Sequence, residues 1–153
     1  MLTLHGMLKV LILCTGNGTR SQMAEAYFNF YAHNEGVFFS AGIESSDISP
    51  NAITVMAEDN LDLSEQLSKS LQAFKDIHFD HVITVCEEAN EFLDKQLLFS
   101  QRHHHPMPNP ETKEEDPVVT LELFRTTRDL IKVMVLKFIG QKLLQESENI
   151  PFA

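Results

Sequence analysis

The sequence predicts one α/β domain, in which a four-stranded parallel sheet carries helices on both faces. Stretches of strand length alternate along the chain with stretches of helical spacing, a pattern typical of parallel strands joined by helices. The β-branched run Phe79–Cys86 has no sustained polar alternation, which indicates a strand buried on both faces. We expect the domain to span residues 7–146, with residues 1–6 as an extension and residues 147–153 as a frayed tail.

The composition is that of an ordinary globular protein, with 153 residues of which 43% are hydrophobic and 22% are charged. The net charge of -10 argues against nucleic acid or an acidic membrane as a partner. The two cysteines form no disulfide framework, and neither a signal peptide nor an apolar run of transmembrane length is evident. We therefore expect a cytoplasmic location.

The first half of the chain predicts two strands and two helices. The apolar run Leu8–Leu13 predicts the first strand, and the residues from Gln22 onward predict the first helix, because apolar side chains recur at helical spacing. Val37–Gly42 predicts the second strand. A Ser-Pro pair at residues 49–50, a capping residue followed by proline, begins a second helix that runs to about Asp59.

The second half predicts two more strands and two more helices. The third strand is Phe79–Cys86, and a third helix follows over about residues 87–98. A short fourth strand is expected within Gln101–Pro106, before a loop rich in Pro and Glu. The last helix covers about residues 118–146, and its inward stripe consists of Phe124, Ile131, Met134, Val135 and Phe138.

The loop between the first strand and the first helix, Cys14–Ser21, carries the chemistry. Its backbone N–H groups and the helix dipole converge on one spot, which suits a tetrahedral oxyanion. These donors and a nearby arginine favour the thiolate of Cys14, which is the nucleophilic form. Arg20 can donate two N–H groups to two oxygens of a phosphate-like dianion. The predicted oxyanion-binding residues are Thr15, Gly16, Asn17, Gly18, Thr19, Arg20 and Ser21.

The small residues of this loop have structural tasks. Gly16 and Gly18 let the backbone approach the anion closely and allow a positive φ. Asn17 tolerates left-handed geometry and can brace the loop with its side chain. Ser21 is placed to cap the helix and to hydrogen-bond the thiolate. A cysteine and an arginine six residues apart are weak evidence alone, but the strand, the glycines and the helix make the combination specific.

Cys14–Asn17 and Arg20–Glu25 resemble the motif of the low-molecular-weight protein tyrosine phosphatases, and more closely that of the arsenate reductases built on the same fold. The reductases commonly have a second cysteine where this chain has Thr19. The resemblance covers about residues 7–145 and implies a flavodoxin-like three-layer sandwich. It also implies that Ser40 braces the catalytic loop through a hydrogen bond with Asn17.

We expect neither a metal nor a bound cofactor. Some of the resembled reductases hold a potassium ion near the positions of Asn17, Glu25 and Ser40. Here Lys69 stands roughly where an acidic ligand would be. The adjacent histidines His103–His105 would alternate in direction on a strand, so at most two could converge, and no cysteine or carboxylate completes a ligand spacing.

Cleavage of a phosphate ester needs a proton for the leaving oxygen, which a carboxylic acid held over the loop supplies. In the resembled family this acid is an Asp that precedes a Pro. Asp116, before Pro117, has the right chemistry, whereas Asn109, before Pro110, has the position that the resemblance indicates. The alternative for Asp116 is an N-terminal helix cap. If Asn109 fills the position, the acid is missing and phosphatase turnover should be weak.

A second thiol separates two chemistries. Cys86 is expected at the C-terminal end of the third strand, on the same sheet edge as Cys14. The resemblance implies that Cys86 attacks the Cys14 adduct, releases arsenite and leaves a disulfide. The third cysteine of the typical thioredoxin-coupled reductase is Leu93 here, so an external thiol (thioredoxin, glutaredoxin or a small thiol) must reach the disulfide. The alternative for Cys86 is a small buried hydrophobic residue.

These residues leave three functions open. The first is an arsenate-reductase-like enzyme that uses Cys14, Arg20 and Cys86. The second is a low-molecular-weight tyrosine phosphatase that acts on phosphotyrosine through the same loop, with Asp116 as the acid. The third is a weakly active oxyanion-binding or regulatory protein, which Asn109 and the missing third cysteine suggest.

Overall fold

The computed structural model describes residues 7–93 and 97–144. Its strands are β1 Leu8–Cys14, β2 Gly36–Gly42, β3 His78–Thr84 and β4 Leu98–His104. Its helices are α1 Arg20–Ala32, α2 Pro50–Ala57, α3 Glu87–Phe92 and α4 Pro117–Phe138; a 3-10 turn spans Leu71–Phe74, and α4 continues as a π-helical turn over Ile139–Leu143. The expected N-terminal extension, the expected frayed tail and the last two residues of the expected domain lie outside the described residues.

The four strands form one parallel sheet in the order β2-β1-β3-β4, which confirms the predicted α/β architecture. The connection that leaves β1 leads to β2 at one edge of the sheet, and the connection that leaves β3 leads to β4 at the other edge. Crossovers between parallel strands are right-handed as a rule, which places α1 and α3 on opposite faces. The point where the chain changes direction, between β1 and β3, is where parallel sheets open a crevice at their C-terminal ends.

Aromatic side chains pack both faces of the sheet. Phe38 and Phe39 are neighbours on β2 and therefore point in opposite directions. Phe38 stacks on Phe28 of α1 at 4.8 Å between ring centroids, and Phe28 meets Phe138 of α4 edge-on at 5.7 Å. On the other face, Phe39 lies 5.5 Å from Phe74 of the 3-10 turn. The sheet is thus a buried layer, which fixes the position of its C-terminal edge.

Several element boundaries differ from the sequence prediction: β3 ends at Thr84 instead of Cys86, and the largest difference lies between α3 and β4. The predicted third helix runs to residue 98, but α3 ends at Phe92 and Leu98 already begins β4. β4 is an edge strand with few buried side chains, and Leu98 is 55% exposed, so its sequence has no apolar periodicity to mark it. The inward stripe of α4 is as predicted, since all five of its apolar residues are buried. No helix among the described residues is long and apolar enough to span a bilayer.

Candidate active site

The loop between β1 and α1 is held from one side by the segment 43–49. Four loop carbonyls accept backbone hydrogen bonds from this segment at 2.8 to 3.2 Å. Because the C=O and N–H of a trans peptide point in opposite directions, the N–H edges of these peptides turn towards the cavity. The acceptors and donors are Cys14 with Ile43, Thr15 with Glu44, Gly16 with Ser46, and Gly18 with Ser49.

The Cys14 thiol lies at the base of this loop and is 3% exposed. Its Sγ accepts a hydrogen bond from the backbone N–H of Asn17 at 3.2 Å. The Oγ of Ser21 lies 2.8 Å from the same sulfur. Both contacts stabilise a thiolate, so the sulfur is prepared to act as a nucleophile.

Asn17 is the conformational centre of the loop. It is fully buried and has a left-handed backbone with φ of 55°, as the sequence predicts. Its Nδ2 donates to Ser21 Oγ at 2.8 Å and to Ser40 Oγ at 2.9 Å, so the contact implied for Ser40 is present. Its Oδ1 accepts from Gln22 Nε2 at 2.8 Å and from the Lys69 backbone N–H at 2.7 Å. One side chain therefore ties the loop to four neighbours.

The two loop glycines serve close packing, and neither adopts the positive φ that glycine allows. A Cβ on Gly16 would lie 2.5 Å from Ser46 Oγ, and a Cβ on Gly18 would lie 2.8 Å from the carbonyl oxygen of Asp47. The segment that holds the loop comes too close for any side chain. The left-handed turn is made by Asn17 alone within this loop, which frees both glycines from that requirement.

A cavity of about 480 Å³ opens above the loop. It brings Cys14, Arg20 and Cys86 together, as the sequence predicts for the sheet edge. The Arg20 guanidinium is oriented by a hydrogen bond from Nη1 to the Met107 carbonyl oxygen at 3.1 Å. The lining residues are Cys14, Thr15, Gly16, Gly18, Thr19, Arg20, Glu44, Ser46, Cys86, Glu87, Glu88, Asn109 and Glu111.

Cys86 is a free thiol at the N-terminus of α3 and is 8% exposed. Its Sγ lies 3.3 Å from the hydroxyl of Thr15, the residue that follows Cys14. That hydroxyl also donates to Glu88 Oε2 at 3.4 Å. The second thiol therefore contacts the oxyanion loop itself, unlike a cysteine that only fills the core.

The two candidates for the acid occupy different places. Asn109 lines the cavity, whereas Asp116 is absent from its lining and caps α4. The Asp116 carboxylate accepts a hydrogen bond from the Val118 backbone N–H at 2.9 Å. The geometry thus agrees with the capping interpretation of Asp116. Asn109 Oδ1 accepts from the Glu111 backbone N–H at 3.1 Å, so the amide is used to turn the chain.

Four carboxylates around the cavity were missed by the sequence analysis. Glu87 and Glu88 directly follow Cys86, so the position of that thiol is a signal that could have found them. Glu111 lies two residues beyond Asn109, but nothing in the Pro- and Glu-rich loop distinguishes it from the other acidic residues there. Glu44 enters the cavity through the turn after β2, for which the sequence carries no signal.

A buried carboxylate lies behind the loop. Burial raises the pKa of Glu25, while the Lys69 ammonium and a hydrogen bond with Ser40 oppose this shift. Lys69 thus contributes positive charge beside the Glu25 carboxylate. Within residues 7–93 and 97–144, no group of three or more His, Cys, Asp or Glu residues is placed to hold a metal ion.

The three histidines point in alternate directions. His103 Nε2 lies 2.9 Å from His81 Nδ1 on the face covered by α4, where burial lowers the pKa of His103 to about 4. His104 instead lies 2.7 Å from Thr84 Oγ1 and 2.8 Å from Glu87 Oε1. These side chains pair with different partners, as expected for adjacent residues on a strand.

A strand, an anion-binding loop and a helix around a buried thiol define a class of α/β proteins that bind tetrahedral oxyanions beside a nucleophilic cysteine. The chain belongs to the low molecular weight phosphotyrosine protein phosphatase family, which it matches over residues 9–149. It is 34% identical over 129 residues to an arsenate reductase from Brevibacillus brevis, an alignment that covers 84% of this chain and 92% of that protein.

Two solved structures of arsenate reductases share this fold. A structure in the reduced state has a TM-score of 0.70 and 29% identity, and the match covers 88% of this chain and 98% of the other. A structure in the phosphate-binding state has a TM-score of 0.66 and 32% identity over the same shares of the two chains.

Proposed function

We propose that this protein reduces arsenate, with Cys14 as the nucleophile and Cys86 as the second thiol. The observation that carries the proposal is the presence of both free thiols in one cavity, with the Thr15 hydroxyl beside Cys86. The related proteins named as arsenate reductases support the same activity. A hydrolase would need only Cys14, Arg20 and an acid.

The first step is attack by the Cys14 thiolate on arsenic. Loop N–H groups and Arg20 hold the arsenate oxygens, while Ser21 and the Asn17 N–H stabilise the thiolate before it reacts. An S–As bond forms and an As–O bond breaks, and the departing oxygen leaves as water after it gains protons. Arsenic remains As(V) in this step.

The second step transfers two electrons. The Cys86 thiolate attacks Cys14 Sγ, so that an S–S bond forms and the S–As bond breaks. The electron pair of the S–As bond stays on arsenic, which leaves as arsenite, As(III). Both sulfurs are oxidised, and the balance is two thiols plus arsenate giving one disulfide, arsenite and water.

The disulfide has to be reduced from outside the chain. Leu93, which takes the place of a third cysteine, is fully buried and has no redox chemistry. We propose that a thiol of thioredoxin, glutaredoxin or a low-molecular-weight thiol attacks the disulfide through the cavity mouth. Neither a metal nor a bound organic cofactor is needed for this cycle.

A single anaerobic turnover tests the proposal. The reduced protein is mixed with excess arsenate, and the product is analysed by mass spectrometry and peptide digestion. We expect a loss of two hydrogens and a Cys14–Cys86 disulfide in the wild type, and neither in Cys86→Ser. Phosphate is the matched control, since it binds as a tetrahedral oxyanion but accepts no electrons from sulfur.

Two free thiols after exposure to arsenate would contradict the reductase. A tyrosine phosphatase would then remain, and hydrolysis of an aryl phosphate without disulfide formation would identify it. Phosphate protection of Cys14 from alkylation, without turnover of either substrate, would instead identify a binding protein.

A further inference from the structure

The departing oxygen needs a proton donor, and Asn109 has no acidic proton to supply. The question is therefore which of the four cavity carboxylates takes this role. Glu87 is engaged by His104 at 2.8 Å. Glu88 accepts from Thr15 beside Cys86, on the side of the second thiol. Among the described cavity residues, Glu44 and Glu111 remain as carboxylates outside these contacts.

Glu111 contacts the oxyanion loop directly. Its Oε1 accepts a hydrogen bond from Thr19 Oγ1 at 3.1 Å. Thr19 is 6% exposed and immediately precedes Arg20, the residue placed to bind the oxyanion. The contact holds one carboxyl oxygen against the loop, which leaves Oε2 as the oxygen that can carry a proton.

The segment that carries Glu111 is fixed to the domain at two further points. Arg20 Nη1 donates to the Met107 carbonyl oxygen at 3.1 Å, and Thr127 Oγ1 of α4 donates to the Pro108 carbonyl oxygen at 3.4 Å. Asn109 Oδ1 accepts from the Glu111 backbone N–H, so the asparagine turns the chain towards the loop. The position of Glu111 over the cavity is thus built by this fold.

We propose that Glu111 is the proton donor of the Cys14 reaction, with Asn109 as the residue that positions it. This inference rests on the proposed attack by Cys14 and names the acid for it. As the S–As bond forms, the departing oxygen takes the proton of Glu111 Oε2 and leaves as water, and Glu111 becomes a carboxylate that solvent reprotonates. With an aryl phosphate, the S–P bond forms, the P–O bond to the aryl group breaks, and the same proton goes to the phenolate oxygen.

The test uses leaving groups of different basicity, because a missing acid slows a poor leaving group far more than a good one. Full-length wild type, Glu111→Gln, Asn109→Asp and the double variant are assayed for hydrolysis of phenyl phosphate and p-nitrophenyl phosphate. Single turnover with arsenate is run in parallel. Glu115→Gln, an exposed acid on the same loop, is the matched control.

Glu111→Gln should slow phenyl phosphate hydrolysis by about 100-fold and p-nitrophenyl phosphate hydrolysis by less than about 10-fold. Glu115→Gln should change neither rate. Asn109→Asp should restore phenyl phosphate hydrolysis in the Glu111→Gln background, since it places a carboxyl beside the lost one. Phosphate protection of Cys14 from iodoacetamide, unchanged in Glu111→Gln, would show that the loop is intact.

Equal slowing of both aryl phosphates, or no slowing, would overturn the role of Glu111. This outcome is distinct from failure of the proposed function, which appears as two free thiols in the wild type after arsenate. If wild type forms the disulfide and Glu111→Gln forms it at the same rate, the reductase stands and the acid assignment is wrong. If wild type turns over neither substrate class, the acid assignment is also wrong, because there is no reaction for it to serve.

Discussion

The two walls of the active-site cavity are built in different ways. The loop wall, residues 14–21, contains Asn17 and Ser21, which are fully buried and joined by a 2.8 Å hydrogen bond. The opposite wall, residues 107–111, is mostly exposed and reaches the loop wall through the Arg20–Met107 and Thr19–Glu111 contacts. Oxyanion binding is therefore preorganised, whereas the proton donor comes from a surface segment that tolerates sequence change.

Removal of the Asn17 side chain should have the largest effect on the loop wall. Asn17→Ala removes the four hydrogen bonds that the side chain makes with Ser21, Ser40, Gln22 and Lys69, so we expect the free energy of unfolding to fall by about 3 kcal/mol. Asn17→Gly loses the same bonds but accepts the left-handed backbone, and should lose about 1 kcal/mol less. Urea unfolding measures both. Equal losses would mean that the backbone conformation carries no cost for alanine.

Removal of the Ser21 hydroxyl should affect chemistry more than stability. Its Oγ lies 2.8 Å from Cys14 Sγ, and a hydrogen bond to a charged group is worth about 1.5–3 kcal/mol, so Ser21→Ala should react about 10- to 100-fold more slowly. The rate of Cys14 alkylation by iodoacetamide measures the effect without any substrate. Ser64→Ala, which removes an exposed hydroxyl that donates to Asp62, is the control. An unchanged alkylation rate would contradict the proposed stabilisation of the thiolate.

Substitution of Asp116 should affect stability alone. Asp116→Ala removes the cap of α4, and we expect a loss of about 1 kcal/mol in the free energy of unfolding. Asp116→Asn keeps an acceptor for the Val118 N–H and should be nearly neutral. Both variants should hydrolyse phenyl phosphate at the wild-type rate. A tenfold loss of the rate of phenyl phosphate hydrolysis in Asp116→Asn would indicate that Asp116 is the proton donor.

The smallest effect concerns His103 of β4, the strand that leads into the mostly exposed wall. Burial next to Phe138, together with the charges of His81, His105 and Lys142, lowers its pKa from 6.5 to about 4. Since the unfolded chain binds this proton first, stability falls as pH decreases from about 6.5 to about 4 and is unaffected by this group above that window. His103→Gln should weaken the dependence of the free energy of unfolding on pH between about 6.5 and 4, as measured by urea unfolding at each pH. At pH 7.5 any remaining difference reports lost packing, and an unchanged slope at low pH would contradict the shift.

Most of the loop wall could be predicted from the sequence because its constraints are local. Cys14, Asn17 and Arg20 lie within seven consecutive residues between a strand and a helix, so their spacing alone brings them around one point. The parallel sheet followed from the alternation of strands and helices, and it placed Cys86 on the same edge as Cys14. The edge strand β4 was placed less well, because exposed strands carry little apolar pattern.

Which residues of the opposite wall reach the cavity could be seen only in the tertiary structure. Sequence chemistry could not choose between Asn109 and Asp116, because both precede proline and only packing shows which one reaches the cavity. Glu111 became visible through its contact with Thr19, which lies 92 residues away in the chain. The sequence by itself predicted the candidate nucleophile, the anion loop and the fold class, since local geometry and periodicity specify them. The surroundings of the reacting group depend on long-range contacts, so only the folded chain defines them.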